Sequence, residues 1–180
     1  NYLSTIAKHD YCMLVGDDAQ FLSKHWDKHI VDFFETYKHK DKILYVCPRD
    51  MTPKDKRRWE KYNLPTDKPY KIKTHPSPVG AAHFVLHKNW INTVGYFLPP
   101  QFWHWHIDNY LTKIAVKLGR AYVLPYVQIQ SKKIMDDHTG KRIRTEMNIW
   151  YRDRDVWRRT NGRYLTADIE ALQNFIKNYN

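Results

Sequence analysis

Between residues 11 and 127, short and wholly apolar runs alternate with stretches whose apolar side chains recur every three or four positions. A run that is apolar at every position must be buried on both faces of a sheet, and the periodic stretches must supply the cover. Tyr11-Cys12-Met13-Leu14-Val15 reads as a first buried strand and stops abruptly at Gly16-Asp17-Asp18. Ser23 is placed to N-cap a helix in which Trp26, Ile30, Phe33, Phe34 and Tyr37 form one apolar face. Ile43 to Cys47 reads as a second buried strand and Ala82-His83-Phe84-Val85-Leu86 as a third, followed by a short helix through Lys88 to Val94 that Gly95 closes. Ile107, Leu111, Ile114 and Leu118 share one face of a helix over 107–118, with Gly119 as its stop. Tyr122 to Val127 is a fourth strand in which Pro125 points to a sheet edge. Thr166 is placed to cap a final helix, with Asp168 and Glu170 in its first turn and Ile169, Leu172 and Ile176 inward. This alternation predicts an α/β layered sheet with flanking helices. The 180 residues are expected to form one domain, with 1–130 as its core and 131–180 as a basic C-terminal extension and helix.

Charge is distributed unevenly over that frame. The chain carries a formal net charge of +11, from 30 Lys and Arg against 19 Asp and Glu. Residues 38–73 hold 12 bases against 5 acids, and residues 130–165 hold 10 against 5, which leaves 8 against 9 elsewhere. Both basic segments read as loop-rich: the first is punctuated by Pro48, Pro53, Pro65 and Pro69, and the second by the turn Asp137-His138-Thr139-Gly140-Lys141. Such segments fit a solvated surface and equally a polyanionic partner.

Several classes are excluded. No apolar run approaches the ~18 residues of a membrane span. Residues 1–10 lack the basic-then-apolar layout of a secretory signal and begin without an initiator Met. Cys12 and Cys47, the only cysteines, lie within apolar runs, so a reducing, cytoplasmic compartment is expected and not a disulfide framework. No Gly-rich phosphate loop, Gly-x-Ser-x-Gly elbow or zinc-ligand spacing is present.

Two constellations carry chemistry. Asp17 and Asp18 stand at the carboxyl end of a buried strand, where open α/β sheets place their ligands. Adjacent carboxylates repel, and Mg²⁺ or Mn²⁺ relieves that repulsion while bridging to phosphates. A polar turn in which either Asp caps backbone amides fits the same residues. The second constellation runs from Gly95-Tyr96-Phe97-Leu98-Pro99-Pro100 through Trp103-His104-Trp105-His106 to Asp108. Two prolines stiffen a loop that presents aromatic and imidazole side chains, suited either to apolar anchoring or to stacking a sugar or base. His104 and His106 would face one side of an extended loop, a geometry open to a metal. Asp108 complements a helix dipole or acts as a general base facing the pocket that the loop encloses.

These residues resemble the glycosyltransferases of the GT-A fold. Val15-Gly16-Asp17-Asp18 with Phe21 and Trp26 is similar to their acidic metal turn. The stretch from Phe84-Val85 and Trp90 through the Gly-Tyr-Phe-Leu-Pro-Pro block to Asp108-Asn109-Tyr110-Leu111 and Leu118-Gly119-Arg120 resembles their acceptor half, particularly in glycosyltransferase family 2-like proteins. The resemblance covers about residues 1–130 and implies a GT-A-like, Rossmann-like sheet. It implies an inverting, metal-dependent transfer of a sugar from a nucleotide-sugar donor to an acceptor hydroxyl. Asp17 and Asp18 would hold Mn²⁺ or Mg²⁺ with the donor diphosphate, Asp18 as the direct ligand, and Asp108 would be the base. Tyr96, Trp103, His104, Trp105 and His106 would bind substrate.

Two departures shape the expectation. The family places nucleotide-binding strands before the acidic turn, whereas few residues precede Asp17 here, so the expectation is either a truncated version, a fragment or the ordered part of a protein whose N-terminal nucleotide-binding half is partly lacking here, or an incomplete donor site. Relatives carry His after the strand matching Tyr122–Val127; here no His appears until His138, which would substitute as a metal ligand, as would Asp136 or Asp137. The basic segments would contact the diphosphate or a polyanionic acceptor, nucleic acid or an acidic glycan. The alternative is a non-catalytic nucleic-acid-binding or assembly protein on a degenerate glycosyltransferase scaffold, using Trp59, Tyr62, Trp150, Tyr151 and Trp157 for base stacking.

Overall fold

The computed structural model describes residues 1–77, 79, 82–131, 142, 148–160 and 162–179. Six strands form one mixed sheet: β1 (Tyr11–Leu14), β2 (Ala19–Phe21), β3 (Tyr45–Asp50), β4 (Tyr70–Lys71), β5 (Phe84–His87) and β6 (Ala121–Ser131). Their order is β1-β5-β3-β6-β2, and β4 also pairs with β6. β3 and β6 are parallel, whereas β5 is antiparallel to both β1 and β3. The carboxyl ends of β1, β3 and β6 therefore share one end of the sheet with the start of β5.

The apolar runs of β3, β5 and β6 are buried on both faces, as their lack of alternation requires. Tyr45, Cys47, Phe84, Leu86, Ala121 and Val123 point into one cluster; Leu44, Val46, Val85, Tyr122 and Leu124 point into the other. The first cluster is covered by α3 (Pro53–Lys61), α4 (Lys88–Val94), α5 (Ile107–Leu118) and α7 (Arg163–Asn178). The second is covered by α2 (Trp26–Thr36) through Ile30, Phe33 and Phe34. Helices α1 (Tyr2–Ile6) and α6 (Ile149–Thr160) complete the described elements. The result is an α/β fold with a mixed sheet and flanking helices. Among the described residues no helix is long and apolar enough to cross a membrane.

Local signals place α4 and α5 where the sequence predicts them. Gly95 (φ 82°) and Gly119 (φ 68°) end these helices in the left-handed conformation that a Cβ would strain. Elsewhere tertiary context overrides the local reading. β1 is an outer strand in which Cys12 alone is buried. Ser23 does not cap α2: its hydroxyl donates to the Tyr126 carbonyl and accepts from the Gln128 amide, and His25 occupies the cap position. Thr166 lies inside α7 and donates to the Gly162 carbonyl, because the helix begins at Arg163.

Pro125 does not mark an edge. β6 is flanked by β3 on one side and by β4 and β2 on the other, and Pro125 falls between the stretches paired to β4 (122–123) and β2 (129–131). The β3–β6 register also shifts there, from Pro48 opposite Leu124 to Arg49 opposite Gln128. A residue without an N–H is tolerated where the ladder is already interrupted.

The basic segments are not simply loops. Pro53 opens α3 at a first-turn position, where its missing N–H costs nothing. That helix buries Trp59, which is 2% exposed, beneath the Arg49 guanidinium 4.7 Å from the ring centroid. In the second segment the alternating acids and bases of residues 151–159 lie on α6. The two cysteines are buried and free.

Opposite the carboxyl end, Arg120 and Asp41 form a buried pair, 8% and 7% exposed, through two 3.1 Å hydrogen bonds. Asp41 Oδ1 also accepts from the Ile43 amide, its carbonyl accepts from Asn89, and the Arg120 carbonyl accepts from the Tyr45 amide. One pair thus ties the starts of β3 and β6 to α4. Removing one partner of such a pair strands the other charge. Arg120→Ala is expected to cost about 3–5 kcal/mol in urea unfolding, and Arg120→Lys to recover little of it, because an ammonium cannot reproduce the bidentate fork.

Candidate active site

Residues 15–18 carry the chain from β1 on one side of the sheet to β2 beside β6 on the other, so the acidic turn lies across the sheet's carboxyl end. The Ala19 amide closes the turn on the Gly16 carbonyl at 3.1 Å. Asp17 and Asp18 are exposed. A Cβ on Gly16 would stand 2.7 Å from Asp18 Oδ1 and 3.7 Å from His83 Cε1, so the missing side chain is what lets the Asp18 carboxylate fold back beside the imidazole.

His83 precedes β5 and is the hub of this end. Its Nε2 lies 3.2 Å from Ser131 Oγ, at the end of β6. Burial lowers its pKa, and the carboxylates of Asp50, Asp18 and Asp108 pull the other way without reversing the shift. Asp50 ends β3, where Oδ1 accepts from the Thr52 amide. The charges of Asp18, Asp50 and Asp108 are therefore all felt at this imidazole. Sequence reasoning missed His83, Asp50 and Ser131. His83 reads as part of a strand, and only the reversed direction of β5 brings it to the end where Asp18 and Asp50 lie.

Asp108 occupies the first turn of α5, after His106 in the left-handed conformation (φ 66°). Burial pushes its carboxyl pKa up, outweighing the opposing effects of the Asn109 amide, His106, its own amide and His75. Tyr45 and Cys47 both feel its charge from β3. A carboxylate with raised basicity, half-buried beside neutral imidazoles, is suited to accept a proton. His75 and His106 both have pKa values lowered, chiefly by burial. Their Nε2 atoms are buried with no hydrogen-bond partner among the described residues. His106 stacks on Trp157 at 5.6 Å, and His75 tilts against the same ring at 5.9 Å.

The loop before α5 is held from α6. The carboxylate of Asp153, fully buried, accepts from the amides of Trp103, His104 and Trp105 at 2.8–3.2 Å. Burial alone would raise its pKa, but these amides and Arg152 together hold it below the usual carboxylate value. This turn is not extended, so the alternation that would set His104 and His106 on one side does not arise. His104 is exposed with its ring edge-on to Trp105, while His106 is packed on Trp157. Trp103 is 63% exposed. The hydroxyl of Tyr96 bonds the Asp168 carboxylate on α7, as does Tyr110 at 2.7 Å, so Tyr96 fastens α7 to the body of the fold.

His138, Asp136 and Asp137 lie outside the described residues. Among the described residues no three His, Cys, Asp or Glu side chains are grouped so as to hold a metal ion. Asp17 and Asp18 nevertheless offer exposed hard oxygen donors on one turn. They fit a Mg²⁺-type cation that binds through one or two carboxylates and takes the rest of its shell from water and phosphate. A groove of about 600 Å³ between β1 and α2 and a hollow of about 680 Å³ near Arg58 and Tyr70 are lined by other residues.

The raised pKa of Asp108 has a stability consequence whose sign is fixed. The folded state binds this proton more tightly than the unfolded chain, so its contribution is present at low pH and lost as pH rises through the folded value. Asp108→Asn is expected to raise the melting temperature near neutral pH, with the gain disappearing below about pH 4, where an ordinary Asp is itself protonated. Thermal melts across that range check this.

Comparison with protein-family models, with curated proteins and with solved structures finds no match for this chain.

Proposed function

We propose that the carboxyl end of this sheet is the active site of a nucleotide-sugar-dependent glycosyltransferase with a GT-A-like layered fold. The observation that carries the reading is the acidic turn laid across the sheet's carboxyl end, with the Asp18 carboxylate and the His83 imidazole both beside Gly16 and His83 3.2 Å from Ser131, and with Asp108 as a half-buried carboxylate of raised pKa whose charge reaches His83. Asp108 accepts the proton of an acceptor hydroxyl. The freed oxygen electron pair attacks the anomeric carbon of the donor, and the bond from that carbon to the diphosphate oxygen breaks with inversion. The nucleoside diphosphate leaves with that bonding pair. Asp18, with Asp17 beside it, would hold Mn²⁺ or Mg²⁺, which when bound neutralises charge developing on the diphosphate. Gly16 keeps the Asp18 carboxylate folded back beside the imidazole of His83. Asp153 holds the loop that leads into α5 and so fixes where Asp108 stands.

The roles of Asp18 and Asp108 separate experimentally. Mn²⁺ together with UDP, GDP, ADP or CDP is expected to raise the melting temperature, by the equivalent of about 2.7 kcal/mol when ligand is a hundredfold above its Kd. Asp18→Ala abolishes that rise. Asp108→Asn keeps it and lowers turnover by about 10²–10⁴-fold. Absence of a shift with all four nucleotides, or a shift indifferent to Asp18→Ala, overturns the reading.

A further inference from the structure

All seven tryptophans have rings engaged or enclosed by the protein itself, and six of them are buried or half-buried. Trp59 lies beneath Arg49 and against Tyr70, Trp157 stacks on His106 and carries Lys113, and Trp150 meets Arg154 and Tyr151. Trp26 stacks on Phe21, Trp105 meets His104, and Trp90 is fully buried. Trp103 differs. Its indole is 63% exposed, and the Arg152 guanidinium lies over its ring, 3.9 Å from the centroid. Arg152 is itself fixed by the Gln101 carbonyl at 3.1 Å and Asp153 Oδ1 at 2.7 Å, yet its side chain stays 34% exposed. The Trp103 amide is also bound to Asp153. An exposed indole is thus ordered on an arginine, on the loop that leads into Asp108.

The face of the indole away from Arg152 matches the apolar face of a pyranose, and the guanidinium edge not taken up by Gln101 and Asp153 matches an oxyanion in planar geometry. A single-stranded nucleic acid would need a succession of open aromatic faces; Trp59 is buried, Trp150 and Trp157 are half-buried, and the exposed Tyr62 and Tyr151 stand apart, at the end of α3 and on α6. Resting on the glycosyl-transfer reading, we infer that Trp103 and Arg152 form the acceptor subsite and that the acceptor is an anionic saccharide. One sugar ring stacks on the indole while its oxyanion pairs with the guanidinium.

The test is calorimetric titration of the full chain, without nucleotide or metal. Tetragalacturonate and mannose 6-phosphate serve as the two oxyanion types, with cellotetraose as the neutral saccharide and a dT12 oligonucleotide as the nucleic acid. At least one oxyanionic saccharide is expected to bind about tenfold more tightly than cellotetraose. Trp103→Ala is expected to remove that binding and Trp103→Phe to restore most of it. Arg152→Lys, at unchanged melting temperature, is expected to erase the preference for the anion. The inference is overturned if neither anionic saccharide binds at millimolar concentration, or if cellotetraose binds equally. Binding indifferent to Trp103→Ala, or tighter binding of dT12 than of either saccharide, also overturns it. A nucleotide-dependent thermal shift that survives such a failure leaves glycosyl transfer standing and removes the acceptor assignment alone.

Discussion

The parallel pairing of β3 with β6, and its break at Pro48/Arg49, is the constraint on which the rest of the structure depends. Before the break the two strands march in register from Tyr45 opposite Ala121 to Pro48 opposite Leu124. After it β6 has gained residues relative to β3, and it ends at Ser131 beside Ala19 and within reach of His83. Without that offset the end of β6 would not meet the turn arriving from β1. At the opposite end, the Asp41–Arg120 pair holds the two strand starts together. The pairing is therefore locked by a buried ion pair at one end and interrupted at the other.

That polar end departs from what stability alone would favour. Asp108 is held where burial opposes its charge, and His75 and His106 keep buried ring nitrogens without partners among the described residues. Asp153 illustrates the contrary case, a fully buried carboxylate satisfied by three amides and a guanidinium. The two aspartates thus have pKa values displaced in opposite directions: burial prevails at Asp108, whereas three amides and Arg152 outweigh it at Asp153. The satisfied one anchors a loop. The under-compensated one keeps its proton more tightly than an ordinary aspartate does.

The charge excess also changes meaning once folded. Pro53 begins a helix, and Trp59, which a loop would have left free for stacking, closes the core beneath Arg49. The second basic segment includes α6, whose Asp153 and Arg152 reach back to the loop ahead of α5. Part of the excess therefore consists of arginines ordered on aromatic rings, a more directional surface than a solvated basic loop.

The amino-acid sequence by itself determined the α/β alternation, the two-sided burial of residues 43–47, the face of α2 and the limits of α4 and α5. These follow from apolar periodicity and from glycine stops, which act within a few residues. It also located Asp17, Asp18 and Asp108 relative to their strand and helix. Only the tertiary structure decided that β5 runs against its neighbours, that His83 therefore meets Ser131 across 48 residues, and that Asp153 holds an amide cluster 50 residues away. It alone decided that Pro125 lies inside the sheet and that Ser23 braces β6. A local pattern states that a face must be buried or a polar group satisfied. Which distant segment does so depends on strand order and direction, which no local signal carries.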